Sequence, residues 1–234
     1  MTFTDLIVYI ALLVAAVLAY RTGKLTLTGA VTGYVVGLCI YKGAGIAGLI
    51  LLATFFFIGS WATKWHINKK TALGMAEKNK GRRTAGQVLA NGGIAGLLGL
   101  ASWLSPDKAN IALLMIAGSM AAATADTLSS ELGMIYGRRF FNILTLKKDT
   151  CGLDGVISIE GTLIGLAGSI VIAAIYSAAS GWGIVFCWIT LAGFIGNLID
   201  SILGASLERR SFIGNNSVNL LNTLAGAIVC WLLV

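Results

Sequence analysis

The chain has 234 residues, 57% hydrophobic and only 12% charged, with a mean hydropathy of +0.85 and a formal net charge of +7. A soluble domain carries about a quarter charged residues, so this composition excludes an ordinary soluble fold and indicates an all-α integral membrane protein. A spanning helix needs about 20 mostly apolar residues. Runs at 3–20, 25–41, 44–63, 86–104, 110–133, 159–179, 182–205 and 216–234 predict about eight such helices. The second and the last are short for a full crossing. No Lys or Arg precedes the first run, which argues against a signal peptide. "GAGIAG" at 43–48 has G-x-G-x-x-G spacing but no strand–turn–helix context, so it reads as a helix entry. The chain reads as one integral membrane domain, 1–234, with peripheral helices in 1–63 and the catalytic helices and loops in 64–234.

The loops set an orientation. With the N-terminus outside, every one of the 17 Lys and Arg residues except Lys42 and Lys108 falls on the inner side. This follows the positive-inside rule and places both termini on the outer side of a cell inner (plasma) membrane, multi-pass. Four cysteines, Cys39, Cys151, Cys187 and Cys230, show no C-x-x-C spacing, and His66 is the lone histidine. Neither pattern suggests a zinc site.

The polar residues gather toward the inner side. Asp126 and Glu131 lie in the inner half of the fifth run, Asp200 in the inner third of the seventh, and Asp154 and Glu160 at the inner start of the sixth. Gln87 and Asn91 open the fourth run directly after Lys80, Arg82 and Arg83, and Asn215, Asn216, Asn219 and Asn222 open the eighth. Asp126, Ser129, Ser130 and Gly133 share one helix face, whereas Glu131 points away from it. Gly92, Gly96 and Gly99 form a small-residue packing seam. Burying a carboxylate in hydrocarbon costs about 2.5–3.5 kcal/mol on insertion scales, so intramembrane acids are read as functional. Acids at one depth suggest a shared wet cavity that holds a divalent cation. Mg2+ suits one or two carboxylates, waters and substrate phosphates. The basic loops supply partners for phosphate oxygens. Each group has a plainer alternative. Glu160 suits the dipole of a helix start, Asn215 and Asn216 suit helix caps, Asn222 suits interhelical glue, and most lysines of 64–80 suit contact with anionic lipid. "ADTLSSE" and "IDSILGASLE" are a weak internal echo, each followed by a basic pair, Arg138–Arg139 and Arg209–Arg210.

Four motifs carry a resemblance: "KNKGRRTAGQVLANGG" (78–93), "ATADTLSSELG" (123–133), "CGLDGVISIEGT" (151–162) and "NNSVNLLNT" (215–223). In that order among helices they resemble the phytyl phosphate kinase and transmembrane protein 19 family of integral membrane proteins. Plant members of that family add a second phosphate to phytyl phosphate. The family is similar to the CTP-using polyprenol kinases of the dolichol kinase group, which implies CTP as donor. Arg82, Gln87, Asn91, Asp126, Ser130, Glu131, Lys147, Asp154, Glu160, Asn216 and Asn219 match the family pattern.

The expected protein is therefore a membrane-embedded lipid kinase acting on an isoprenyl monophosphate at the cytosolic leaflet, with no nucleic-acid partner. Asp126, Glu131, Glu160 and Asp200 are the expected catalytic residues, with Asp126, Asp200 and Glu131 on Mg2+. Lys80, Arg82, Arg83, Gln87, Asn91, Ser130, Lys147, Asp154, Asn215, Asn216 and Asn219 are the expected contacts for the nucleoside triphosphate and the lipid phosphate. The rivals are an ion-coupled transporter or flippase, which needs a polar path continuing outward past Asp200, and a non-catalytic lipid-binding protein using the basic 64–83 segment.

Overall fold

A computed structural model describes residues 2–72, 74 and 81–234; the expected ligand Lys80 lies outside them. Helix α1, Phe3–Arg21, starts at a capping box in which the Thr2 N–H donates to Asp5. Helix α2, Leu27–Lys64, is interrupted at Gly45, whose φ of 62° and ψ of −155° lie outside helical geometry. Only glycine adopts that backbone without a steric penalty. The chain reverses there. In the first leg, 27–44, Gly29 lies against Arg83 and Gly43 against Gly99; in the second, 46–64, Leu52 lies near Gly92 and Gly59 against Arg83. The two legs thus run in opposite directions along α4, Ala85–Leu104. The "GAGIAG" segment is this hairpin turn.

The short α3, Ile67–Ala72, folds back toward α5, Ala109–Tyr136. A loop holding the two-residue strands β1, Phe141–Asn142, and β2, Val156–Ile157, paired antiparallel, leads to α6, Ile159–Ser180. Then come α7, Ile184–Leu203, a π-helical turn Gly204–Glu208, and α8, Asn215–Leu232. Six of the described helical segments, those of α1, α2, α4, α5, α6 and α7, are long and apolar enough to cross a membrane. The chain is an integral membrane protein of almost wholly helical fold. Of the eight apolar runs, two are the legs of α2 and the last is α8, which is not among those six.

Helix α5 is the axle: it packs against α2, α4, α6, α7 and α8. Around it Ile40, Leu51, Ile116, Met120, Ile172 and Ile189 are fully buried. Close approach along the α4 seam is enforced by glycine. A Cβ on Gly99 would sit 2.5 Å from the Cys39 carbonyl oxygen, so no larger residue fits without moving the first leg of α2. Gly193 of α7 lies beside Ala121 of α5, and Gly196 beside Ala122. The two helices therefore run parallel, and Asp200 comes level with Asp126.

Candidate active site

A cavity of about 300 Å³ opens at the end of the bundle where α5 and α7 finish and α4, α6 and α8 begin. Its entry side is built by the segment before α4. The Arg83 N–H donates to the Lys24 carbonyl at 3.0 Å and its carbonyl accepts from Thr26 at 3.0 Å, which clamps that backbone to the α1–α2 turn. The buried Arg83 side chain crosses the Phe55 ring at 5.0 Å and reaches the cavity. Thr84 and Gln87 form a reciprocal capping box, the Thr84 N–H donating to Gln87 Oε1 at 2.9 Å. One turn on, Asn91 donates from Nδ2 to the Gln87 carbonyl at 3.0 Å. Its Oδ1 is buried with no hydrogen-bond partner among the described residues.

Helix α5 contributes Asp126, Thr127, Ser129 and Ser130; α7 contributes Asn197, Asp200 and Ser201; α8 contributes Asn215 and Asn219. The roof is the 151–158 segment, including Asp154, and it rests on the α7 extension where Gly155 meets Ala205. Arg209 Nη1 donates to Asp149 at 2.8 Å and ties the roof loop to the same extension. That hydrogen bond holds the Asp149 carboxyl below its usual range. Burial pushes the Cys151 thiol up, which leaves it protonated and a poor nucleophile at neutral pH.

Asp126 and Asp200 face each other in this cavity, and Asn222 lies beside Asp200. Asp200 Oδ1 is buried without a hydrogen-bond partner among the described residues. Two facing carboxylates in a part-buried chamber repel unless a cation or proton lies between them. The donors around them are oxygens and amides, a hard set that suits Mg2+. Among the described residues no three His, Cys, Asp or Glu side chains converge as a ready-made cluster. The residues present fit a cation held by two carboxylates, with its other positions left to water and phosphate oxygens.

Several expected site residues are placed elsewhere. Glu131 borders the cavity, but its carboxylate takes a salt bridge from the buried Lys70 Nζ at 2.5 Å. Helix α3 folds back and brings this cation to it, so the Glu131 carboxylate is paired within the protein, unlike Asp126 and Asp200, which face each other. Glu160 does not line the cavity; it accepts from the Arg138 N–H at 3.4 Å and closes the α5–α6 corner. Arg82 points away from Arg83, as neighbours in extended backbone do. It donates to the Leu25 carbonyl at 3.5 Å and lies over Tyr20. Lys147 is exposed on the roof loop outside the cavity lining, and Asn216 packs on Gly86 of α4. Ser130 is exposed at the mouth.

Further residues at the site were not among the expected ones, although Asn197 shares a polar helix face with Asp200 and Ser201. Glu208 lines the chamber through the π-helical turn. Its spacing from Asp200, through Gly204 at i+4 to i+8, was the available signal. Asn197 is buried in the wall, one helical turn before Ser201. Lys70 looked like one of several surface lysines.

The match to known proteins covers nearly the whole chain. The family model described as "Integral membrane protein DUF92" matches residues 10–227. An uncharacterized membrane protein of Methanocaldococcus jannaschii is 36% identical over 94% of this chain and 92% of its own. One of Synechocystis is 33% identical over 84% and 77%. Protein VTE6, chloroplastic, of Arabidopsis thaliana is 32% identical over 89% of this chain and 65% of its own length. No solved structure matches. The motifs on α4, α5, the roof loop and α8 and this end-to-end similarity agree: the chain belongs to the DUF92 integral membrane protein family.

Proposed function

We propose that this protein is a lipid kinase that transfers the terminal phosphoryl group of a nucleoside triphosphate, CTP, to an isoprenyl monophosphate at the cytosolic leaflet, with Mg2+. The observation that carries the reading is the facing pair Asp126–Asp200 in a polar chamber whose entry is held by Arg83, Gln87 and Asn91. The family resemblance supplies the substrate class. Arg21, Lys24, Arg138, Arg139, Arg209 and Arg210 flank the helix ends at this same end of the bundle, which favours a cytosol-facing mouth.

Phosphoryl transfer needs positioning and charge neutralisation more than covalent chemistry. An oxygen of the acceptor monophosphate attacks the terminal phosphorus of the triphosphate. The bond from that phosphorus to its bridging oxygen breaks, giving an isoprenyl diphosphate and a nucleoside diphosphate. Mg2+ when bound would neutralise phosphate charge as the transfer proceeds. Asp126 and Asp200 would hold it, Arg83 would bind phosphate oxygens, and Asn91, Asn215 and Asn219 would orient the reacting groups. Glu131, fixed by Lys70, sets the position of the α5 end that presents Asp126. A phosphate acceptor is already anionic, so no general base is required. A transporter is disfavoured because beyond the Asp126 level Ile116 and Met120 of α5 pack with Ile172 and Ile189 in a mainly apolar core, in which Ser119, Ser169 and Ser177 are fully enclosed.

The test is turnover by purified protein with magnesium, labelled CTP or ATP, and a panel of isoprenyl alcohols and monophosphates. Diphosphate-lipid formation that disappears in Asp126→Asn is the expected result. No turnover with any donor and acceptor, in protein shown to be folded, refutes the reading.

A further inference from the structure

Beside the polar chamber lies a second, apolar cavity of about 700 Å³, between α1, both legs of α2 and α4. Its long walls are the face of α1 from Ile7 to Ala19 and the second leg of α2 from Ile46 to Phe57. Either wall spans about 17 Å at the helical rise. Along α1 only Ala19 is buried, while Leu6, Ile10, Leu13, Val14 and Val17 are exposed, so this wall borders the hydrocarbon layer. Apart from the hydroxyls of Thr22 and Tyr34, the polar lining gathers at one end. That end is Lys24, Arg83, Gln87 and Asn91, and the last three line the polar chamber too. Lys24 Nζ lies 5.2 Å from the Phe57 ring, at the rim of the groove.

An apolar groove that passes, through a cation and two amides, into an oxygen-lined chamber matches one kind of molecule: a single hydrocarbon chain ending in a phosphate. We infer that this groove is the binding site for the isoprenyl chain of the acceptor, and that Arg83, Gln87 and Asn91 form the gate where its phosphate leaves hydrocarbon and enters the chamber. The inference rests on the kinase reading and adds to it the path of the acceptor. The Asn91 Oδ1 at the junction is buried and has no hydrogen-bond partner among the described residues, which leaves it open to a ligand. The continuity of groove and chamber sets the order of approach. The acceptor comes sideways from the bilayer and the nucleotide from water, so neither has to pass the other. The groove width is limited by small side chains. A Cβ on Gly33 would meet only Leu25 among the described residues, at 3.8 Å, and Ala53 of the second leg lines the same groove.

Two measurements test this in full-length protein in nanodiscs. The first is photolabelling with an isoprenyl monophosphate that carries a diazirine near the end of its chain, with the adducts mapped by mass spectrometry. Adducts on α1 and the second leg of α2, competed by unlabelled isoprenyl monophosphate but not by phosphatidic acid, are expected. Adducts elsewhere, or equal competition by phosphatidic acid, overturn the site and leave an ordinary lipid-filled gap. The second is kinetic. Gly33→Leu and Ala53→Phe should raise the ratio of KM for a long-chain acceptor to KM for a short-chain acceptor about tenfold, the mark of lost tail binding. An unchanged ratio in both folded variants overturns the proposal. The two readings fail separately. Groove labelling without any nucleotide turnover would keep the groove and sink the kinase. Turnover with an unchanged ratio and no groove adducts would keep the kinase and sink the groove.

Discussion

The two cavities share three residues and differ in nearly everything else. The polar chamber is walled by helix ends, roofed by a loop, and contains two facing carboxylates. The groove is walled by helix middles, carries one cationic rim, and faces lipid. The same rule, that polar groups must find partners and apolar surface must avoid water, produces both. In the chamber the missing partners imply ligands with oxygen chemistry. In the groove the missing volume implies a chain. Arg83 belongs to both because its backbone is clamped to the α1–α2 turn while its side chain crosses Phe55.

The contrast can be broken most sharply in the chamber. Asp126→Asn should lower kcat by about 10³-fold, the scale of losing one preorganised electrostatic group. The same change should leave thermal stability in detergent equal or higher, because a carboxylate repulsion is removed. A large loss of melting temperature instead would recast Asp126 as structural. Next comes the wall. Lys70→Met leaves Glu131 buried without its partner and should cost about 3–5 kcal/mol, read from unfolding in detergent. Lys70→Met with Glu131→Leu should recover much of this, because a buried ion pair exchanged for apolar packing is often neutral. A smaller effect is expected at the entry. Thr84→Ala removes the hydroxyl that caps α4 and should cost about 1 kcal/mol, while the KM of the acceptor should change little because the Gln87 side chain keeps its bond from the residue-84 N–H. The smallest effect is in the roof. The Arg209–Asp149 pair is part-exposed, so Asp149→Asn should barely move stability. Because the Asp149 carboxyl is held below its ordinary value of 3.8, its contribution is intact at neutral pH and is lost only as pH falls through that lowered value. Hydrogen exchange of 141–157 should therefore stay protected at pH 5 and loosen only below about pH 4.

Much of this architecture can be read from the chain itself. Apolar runs and their breaks locate the helices to within a few residues, since a bilayer-spanning helix must be continuous and apolar. The polar stripe through Asp126 and the asparagines that open α8 point to one end of the bundle, where they meet. What stayed hidden depended on tertiary geometry. The sequence put Glu131 on a different helix face from Asp126, but its partner stayed hidden until α3 turned back and delivered Lys70 to it. Of the adjacent Arg82 and Arg83 the resemblance singled out Arg82, yet the fold sends Arg82 to Tyr20 and Arg83 to the chamber. Glu208 follows Asp200 and Gly204 at helical spacing, but it lies beyond the apolar run that ends at 205, and a π-helical turn carries it to the site. The groove belongs to four segments, and no single one of them announces it.

The central place of α5 has a consequence for how the protein is made. Synthesis runs from the N-terminus, so α5 leaves the ribosome before α6, α7 and α8 exist to cover it. Asp126 and Glu131 must enter the bilayer while most of their later neighbours are still untranslated, at about 2.5–3.5 kcal/mol per uncovered acid. Lys70 is already present by then, so Glu131 can be neutralised at once. Asp126 has to wait for the chain to complete its enclosure.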